Sequence, residues 1–75
     1  MAKPAKGLVV CVKNEGYGVS LERRKLYVSI SDPVAERHKL LRVVDESGDD
    51  YLYPRKFFVP VELPLSIRRA VLLAA

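Results

Sequence analysis

The chain's densest group of side chains able to do chemistry is the acidic run Asp45-Glu46-Ser47-Gly48-Asp49-Asp50. Closely spaced carboxylates can hold a hard cation or divide acid and base roles between them. A calcium site needs about six to eight oxygens from a loop that wraps the ion, and a tight turn around Gly48 cannot wrap one. Acid–base work needs a pocket that pushes two carboxyl pKa values apart, and a hairpin tip supplies no such pocket. The run therefore reads as a polar hairpin whose repulsion is relieved by Arg42, Arg55 or Lys56. His38, the single histidine, stands between Arg37 and Lys39 without a second ligand or a nucleophile in its pattern, and reads as a solvated loop residue. The serines lack a Gly-x-Ser-x-Gly elbow, and Gly16-x-Gly18 is too short for a dinucleotide fingerprint. Cys11, the only cysteine, lies in Leu8-Val9-Val10-Cys11-Val12, with no disulfide partner and no Cys/His pair at zinc spacing. These residues predict a protein that is not an enzyme and takes no metal and no cofactor.

The basic residues carry more. Thirteen Lys/Arg against nine Asp/Glu give a net charge of +4, with a pI of about 9.5. Three basic groups, Arg23-Arg24-Lys25, Arg37-His38-Lys39 and Arg55-Lys56, fall in or beside loops. Interleaved with Tyr17, Tyr27, Tyr51 and Tyr53 they match the charge-plus-stacking recipe for single-stranded nucleic acid. The same groups also serve as solvated edges that deter edge-to-edge strand pairing, and a charge of this size is ordinary for a soluble small domain. Nucleic-acid binding through Arg23, Arg24, Lys25, Arg37, Lys39, Arg55 and Lys56 is thus the alternative reading.

Seventy-five residues form one domain, large enough to bury only about 60% of the surface its extended chain exposes. A composition that is 49% hydrophobic and 29% charged belongs to a globular chain and not to a disordered one. The apolar run after the basic start ends at Lys13, too short for a signal peptide, and no stretch is long enough to span a membrane. With an unpaired, buried thiol, these features predict a cytoplasmic protein that does not engage a membrane.

The elements that position these groups are short strands cut by turn chemistry. Residues 7–13 are β-branched and apolar, and the Asn14-Glu15-Gly16-Tyr17-Gly18 segment breaks the run into a long loop. Residues 25–30 alternate, with Leu26, Val28 and Ile30 on one face and Lys25, Tyr27 and Ser29 on the other. Ser31-Asp32-Pro33 ends that strand, and 34–39 form a polar connection with room for a turn of helix. Residues 40–45 are apolar on both faces, which predicts a central strand or one covered by another element. A hairpin through 46–49 returns the chain along Tyr51-Leu52-Tyr53, which Pro54 ends. Val59-Pro60-Val61 is a last edge strand, and Pro64 opens a helix over 65–73.

The segment Tyr51-Leu52-Tyr53-Pro54-Arg55-Lys56-Phe57-Phe58-Val59-Pro60-Val61 resembles the end of an SH3 domain: strand, Pro, one helical turn, an aromatic, final strand. Lys56 and Phe57 stand where that family has Asn and Tyr. Across 8–64 the chain also resembles small uncharacterised bacterial proteins carrying Gly-Tyr, Ser-Leu-Glu and Asp-Glu-Ser-Gly-Asp-Asp-Tyr-Leu-Tyr-Pro motifs, here Gly16-Tyr17, Ser20-Leu21-Glu22 and 45–54. The resemblance implies an all-β fold, a small five-stranded SH3-like barrel with a short C-terminal helix. By position it places Leu52, Pro54 and Phe57 on the peptide groove with Tyr17 opposite. The chain has no Trp and no Ala-Leu-Tyr-Asp-Tyr segment, so polyproline recognition does not carry over.

The C-terminal helix offers a second surface. Ile67, Ala70, Val71 and Ala74 share one stripe, while Leu65 and Leu72 fall on another beside Arg68 and Arg69. One stripe can cover the barrel; a second, with Leu72 and Leu73, would serve a partner or a second copy. The expected organisation is a flexible arm over 1–6, a barrel over 7–63 and a helix over 64–75 packed on the barrel or on a partner. The function this predicts is a non-enzymatic protein-binding module acting through Tyr17, Leu52, Pro54, Phe57, Leu72 and Leu73.

Overall fold

A computed structural model describes residues 6–74, with only the backbone of Ala74. In chain order the elements are β1 (Lys6–Cys11), β2 (Leu26–Ile30), α1 (Pro33–Arg37), β3 (Leu40–Val44), β4 (Asp50–Pro54), a 3-10 turn (Arg55–Phe57), β5 (Phe58–Pro60) and α2 (Leu65–Ala74). Of the arm expected over 1–6, only Lys6 lies among the described residues, and it opens β1.

Local chemistry sets the boundaries. β1 gives way to a turn in which the Tyr17 amide donates to the Asn14 carbonyl at 2.8 Å, with Gly16 at φ +84°, a conformation that suits glycine. At α1, Asp32 caps the helix by accepting the Ala35 amide at 3.1 Å, and the Glu36 carboxylate takes the Asp32 amide in return at 3.1 Å. Pro33 occupies the first turn, where its missing N–H costs nothing. The hairpin between β3 and β4 turns at Gly48, φ +86°.

The five strands form one antiparallel sheet in the order β4-β3-β2-β1-β5. β3 is interior, as its two apolar faces require. β4 and β5 are the edges; no ladder joins them, so the sheet is not closed into a hydrogen-bonded barrel. Its inner face carries Val9 and Cys11 from β1, Tyr27 from β2, Val43 from β3, Tyr53 from β4 and Phe58 from β5, all in one buried cluster. Leu21, from the loop between β1 and β2, completes that cluster at 1% exposure.

The alternation in β2 resolves in an unexpected direction. Tyr27, from the face with the polar residues, enters the core opposite Val9, while Leu26 on the apolar face is half exposed. The reason lies across the sheet. Tyr27 finds partners for its hydroxyl at the core rim, and the outer face, with Leu8 and Val28 buried on it, is partly covered by α2. The Arg68 guanidinium donates to the Lys6 carbonyl at 2.8 Å, and Val71 borders a groove of about 400 Å³ with Leu8, Leu26, Val28 and Val44. The packed side of α2 is Arg68, Val71 and Leu72, which straddles both stripes read from the sequence; Leu65, Ile67 and Leu73 stay exposed. Among the described residues, no helix is long and apolar enough to cross a membrane.

Candidate functional site

The long loop, residues 12–25, is the largest irregular segment, and it folds over the inner face of the sheet. The Tyr17 carbonyl accepts the amides of Ser20 at 3.0 Å and Leu21 at 2.8 Å, and the Asn14 side-chain amide donates to the Leu21 carbonyl at 3.1 Å. These bonds turn Leu21 inward and set the Tyr17 ring over the sheet. The ring meets Tyr53 edge to face at 5.0 Å between centroids and Phe57 at 5.9 Å. Such aromatic pairs contribute about 0.5–1.5 kcal/mol beyond their area burial. Tyr17 remains 41% exposed, whereas Phe57 and Tyr53 beneath it are 5% and 3% exposed. The site therefore has one accessible ring resting on two fixed ones.

Both ends of the loop are anchored. The amides of Val12 and Lys13 donate to the Phe57 carbonyl at 2.7 and 3.3 Å, which ties the loop's start to the 3-10 turn. On the far side Arg24, at φ +67°, donates its amide to the Cys11 carbonyl at 2.7 Å. The middle is tied to the acidic hairpin by two tyrosine–carboxylate pairs. The Tyr27 hydroxyl accepts the Glu22 amide at 2.7 Å and donates to Glu46 Oε1 at 2.9 Å. The Tyr53 hydroxyl donates to Asp45 Oδ2 at 2.5 Å and lies 3.0 Å from Ser20 Oγ. The Glu46 amide adds a bond to the Ser20 carbonyl at 3.1 Å.

The titration behaviour of these groups follows. Burial pushes the Tyr27 phenol up to about 12, reinforced by the Glu46 carboxylate beside it. Burial, with Asp45 as its acceptor, also raises Tyr53. Burial works against the charged Asp45 carboxylate, but the hydroxyls of Ser47 and Tyr53 and the Ser47 amide more than offset it, so its pKa falls below the ordinary value. The Lys25 ammonium, bonded to both Glu46 oxygens, lowers Glu46 further than the Tyr27 hydroxyl does. Arg42 bridges Asp32 at 3.0 Å and Asp50 at 2.8 Å. Asp45, Glu46 and Asp50 of the acidic run are thus engaged by Lys25, Arg42, Tyr27, Tyr53 and Ser47; of the relieving cations expected from sequence, Arg42 does this and Lys25 joins it. Among the described residues no three metal-ligating side chains come together.

The expected site residues divide into several places. Tyr17 and Phe57 meet, and Pro54, half-buried, leads into the 3-10 turn that carries Phe57. Leu52 alternates with Tyr53 along β4 and pairs with Arg42, so it lies on the outer face, away from Tyr17. Leu72 is half-buried and Leu73 exposed on α2. Of the basic residues, Lys39 comes together with Arg55 and the adjoining Lys56, because the Arg55 amide donates to the Lys39 carbonyl at 2.9 Å, while Arg37 ends α1 two residues before Lys39. Arg23, Arg24 and Lys25 enter β2 on the other side of β1 from the 3-10 turn, and Lys25 is occupied by Glu46. Sequence reasoning missed Val12 and Lys13, which the Phe57 carbonyl draws to the site, and the only hint was their place at the mouth of the loop. A separate groove of about 490 Å³ opens at the other end of the inner face, floored by Leu41 and Phe58, with Arg55, Arg68, Glu36 and Glu62 at its rim.

No protein-family model, no curated protein and no solved structure matches the chain.

Proposed function

We propose that this chain is a non-enzymatic binding module of SH3-like barrel type that takes a protein segment at the junction of the long loop and the 3-10 turn. The order of elements supports the barrel reading: a long loop between β1 and β2, a hairpin between β3 and β4, and a 3-10 turn leading to a β5 that pairs with β1. The observation that carries the reading is Tyr17, exposed on one side and fixed edge-on against Tyr53 and Phe57 on the other. A pre-set aromatic surface binds at low entropic cost, and tyrosines of this kind are frequent anchors of interfaces. Tyr27 with Glu46 and Tyr53 with Asp45 are bonded under the loop, where they hold it in place. A buried thiol at Cys11 suits a reducing compartment, and the cytoplasm is the proposed location.

The test is selection from a displayed random-peptide library on the intact chain, with Tyr17→Ala as the counter-sample. Recovery of peptides by the parent chain alone supports the reading. Equal recovery by both, or none by either, rejects it. A second reading, pairing of two copies through α2, draws support from Leu73 at 86% exposure and from exposed Leu65 and Ile67. Sedimentation of the full chain beside one ending at Leu63 decides it: a dimer that becomes a monomer supports the reading, and a full chain that is already monomeric rejects it.

A further inference from the structure

Charge is distributed unevenly around the Tyr17 surface. Four carboxylates, Asp45, Glu46, Asp49 and Asp50, sit in the β3–β4 hairpin, and the ion pairs among the described residues, Lys25–Glu46, Arg42–Asp32 and Arg42–Asp50, bring only two cations to that region and leave it net negative. The opposite holds along the 3-10 turn. Arg37, Lys39, Arg55, Lys56 and Lys13 are exposed, and none of them forms an ion pair among the described residues. Backbone bonds place four of them in a row: Lys39 to Arg55 at 2.9 Å, then Lys56 and Phe57 along the turn, then Phe57 to Lys13 at 3.3 Å. Arg55 borders the 490 Å³ groove together with Glu36 and Glu62, and Glu36 is already committed to capping α1. Glu15 is the carboxylate on the loop near Lys13. The row keeps a net positive charge and ends at the Tyr17 ring.

Lys39 adds an independent sign. It sits at φ +60°, where a non-glycine residue is strained, and it carries a cation at a position that glycine would occupy with less strain.

Resting on the binding-module reading, we infer that the partner segment is an acidic peptide whose carboxylates run along Lys13, Lys56 and Lys39 while an apolar side chain lies on Tyr17 and Val12. Single-stranded nucleic acid would use the same charges, but it needs successive exposed faces for its bases. Here Tyr27 and Tyr53 are buried with their hydroxyls bonded, and Phe57 is buried too. Tyr51 is 52% exposed, but it follows Asp49 and Asp50 at the acidic end of β4, so Tyr17 is the accessible ring beside the row. A peptide needs only one such anchor, and its carboxylates pair with lysines without any stacking ladder.

The experiment measures fluorescence anisotropy of three labelled probes on the intact chain at low and high salt. The probes are a peptide alternating Glu with Leu, the same peptide with Gln for Glu, and an oligothymidylate. The expected result is that the Glu peptide binds, weakens with salt as exposed charge pairs do, and binds more tightly than either other probe. Lys56→Gln and Lys39→Gly each weaken it by about 2–5-fold, the scale of one exposed ion pair. Lys39→Gly relieves the left-handed strain, so its Tm holds or rises while its affinity drops, which separates binding from folding. If the Gln peptide binds equally and Tyr17→Ala still weakens it, the acidic preference is overturned and the binding module stands. Tyr17→Ala leaving every probe unchanged overturns both. Tighter binding of the oligothymidylate, lost in the Lys variants, replaces the peptide with nucleic acid, and no binding of the Glu peptide rejects the inference.

Discussion

The two faces of the sheet are finished to different degrees. The inner face is closed by the chain itself at its loop end, away from the 490 Å³ groove: Leu21 fills it, Tyr17 lies across it, and the hydroxyls of Tyr27 and Tyr53 are tied to Glu46 and Asp45 at its rim. The outer face is only half covered, with Leu8 and Val28 buried near α2 while Leu26, Leu52 and Val59 remain substantially exposed. The difference teaches where stability and recognition reside. A packed cluster with satisfied polar groups supplies most of the folding energy of a small domain. A half-packed helix contributes less and leaves apolar area free.

Four measurements test that contrast, beginning with the largest effect. Leu21→Ala opens a cavity in the inner face and is expected to cost about 2–5 kcal/mol in urea denaturation. A cost below 1 kcal/mol, on the order seen at surface sites, would mean the loop is not part of the core. Tyr53→Phe leaves Asp45 Oδ2 without its donor and should cost about 1–3 kcal/mol at neutral pH. The sign of its acid dependence is fixed. Because the folded Asp45 pKa is depressed, its contribution is present above the ordinary carboxylate value of about 3.9 and is lost as pH falls through the lower folded value. Tyr53→Phe should therefore flatten the fall of the denaturation midpoint in acid, and an unaltered slope would remove Asp45 from the account.

At alkaline pH the shift reverses direction. Tyr27 ionises near 12 when folded, against about 10 when unfolded, so its contribution holds below pH 10 and is lost as pH rises toward 12. An absorbance titration at alkaline pH should show a late tyrosine step to which Tyr53 also contributes and whose amplitude Tyr27→Phe reduces; four tyrosines titrating together would contradict the buried hydroxyl. Smallest is Leu73→Ala on α2, 86% exposed, which should change stability by no more than about 0.5 kcal/mol. A larger loss of stability that depends on protein concentration would show that a second copy covers this residue.

Much of the fold is legible in the sequence, and the reason is punctuation. Glycines, prolines and Asp/Asn turns mark at least one end of each strand, and every strand falls within two residues of its expected place. The inward face of β2 was not legible. Tyr27 looks like a surface residue until Glu22 and Glu46, distant in sequence, supply partners for its hydroxyl. Leu21 was equally hidden, a lone leucine among Ser20, Glu22 and Arg23 whose burial depends on how the loop folds back. For the site, the expectation set Tyr17 opposite Phe57 and the rings meet, but the fate of Leu52 depends on register, which moves alternate residues to opposite faces. The meeting of Lys39 with Arg55 and of Lys13 with Phe57 arises from backbone bonds between remote segments, which no local pattern encodes.

Cys11 has a use that follows from its place. It is the only cysteine of the chain, it is fully buried between β2 and β5, its thiol donates to the Lys13 carbonyl at 3.1 Å, and burial raises its pKa. A thiol reagent in solution can reach it only when the sheet and the loop above it part. The rate of its modification under native conditions is therefore a clock for opening, read at one atom without any added label. Run with and without a bound peptide, that clock reports how firmly a partner at Tyr17 locks the loop onto the sheet.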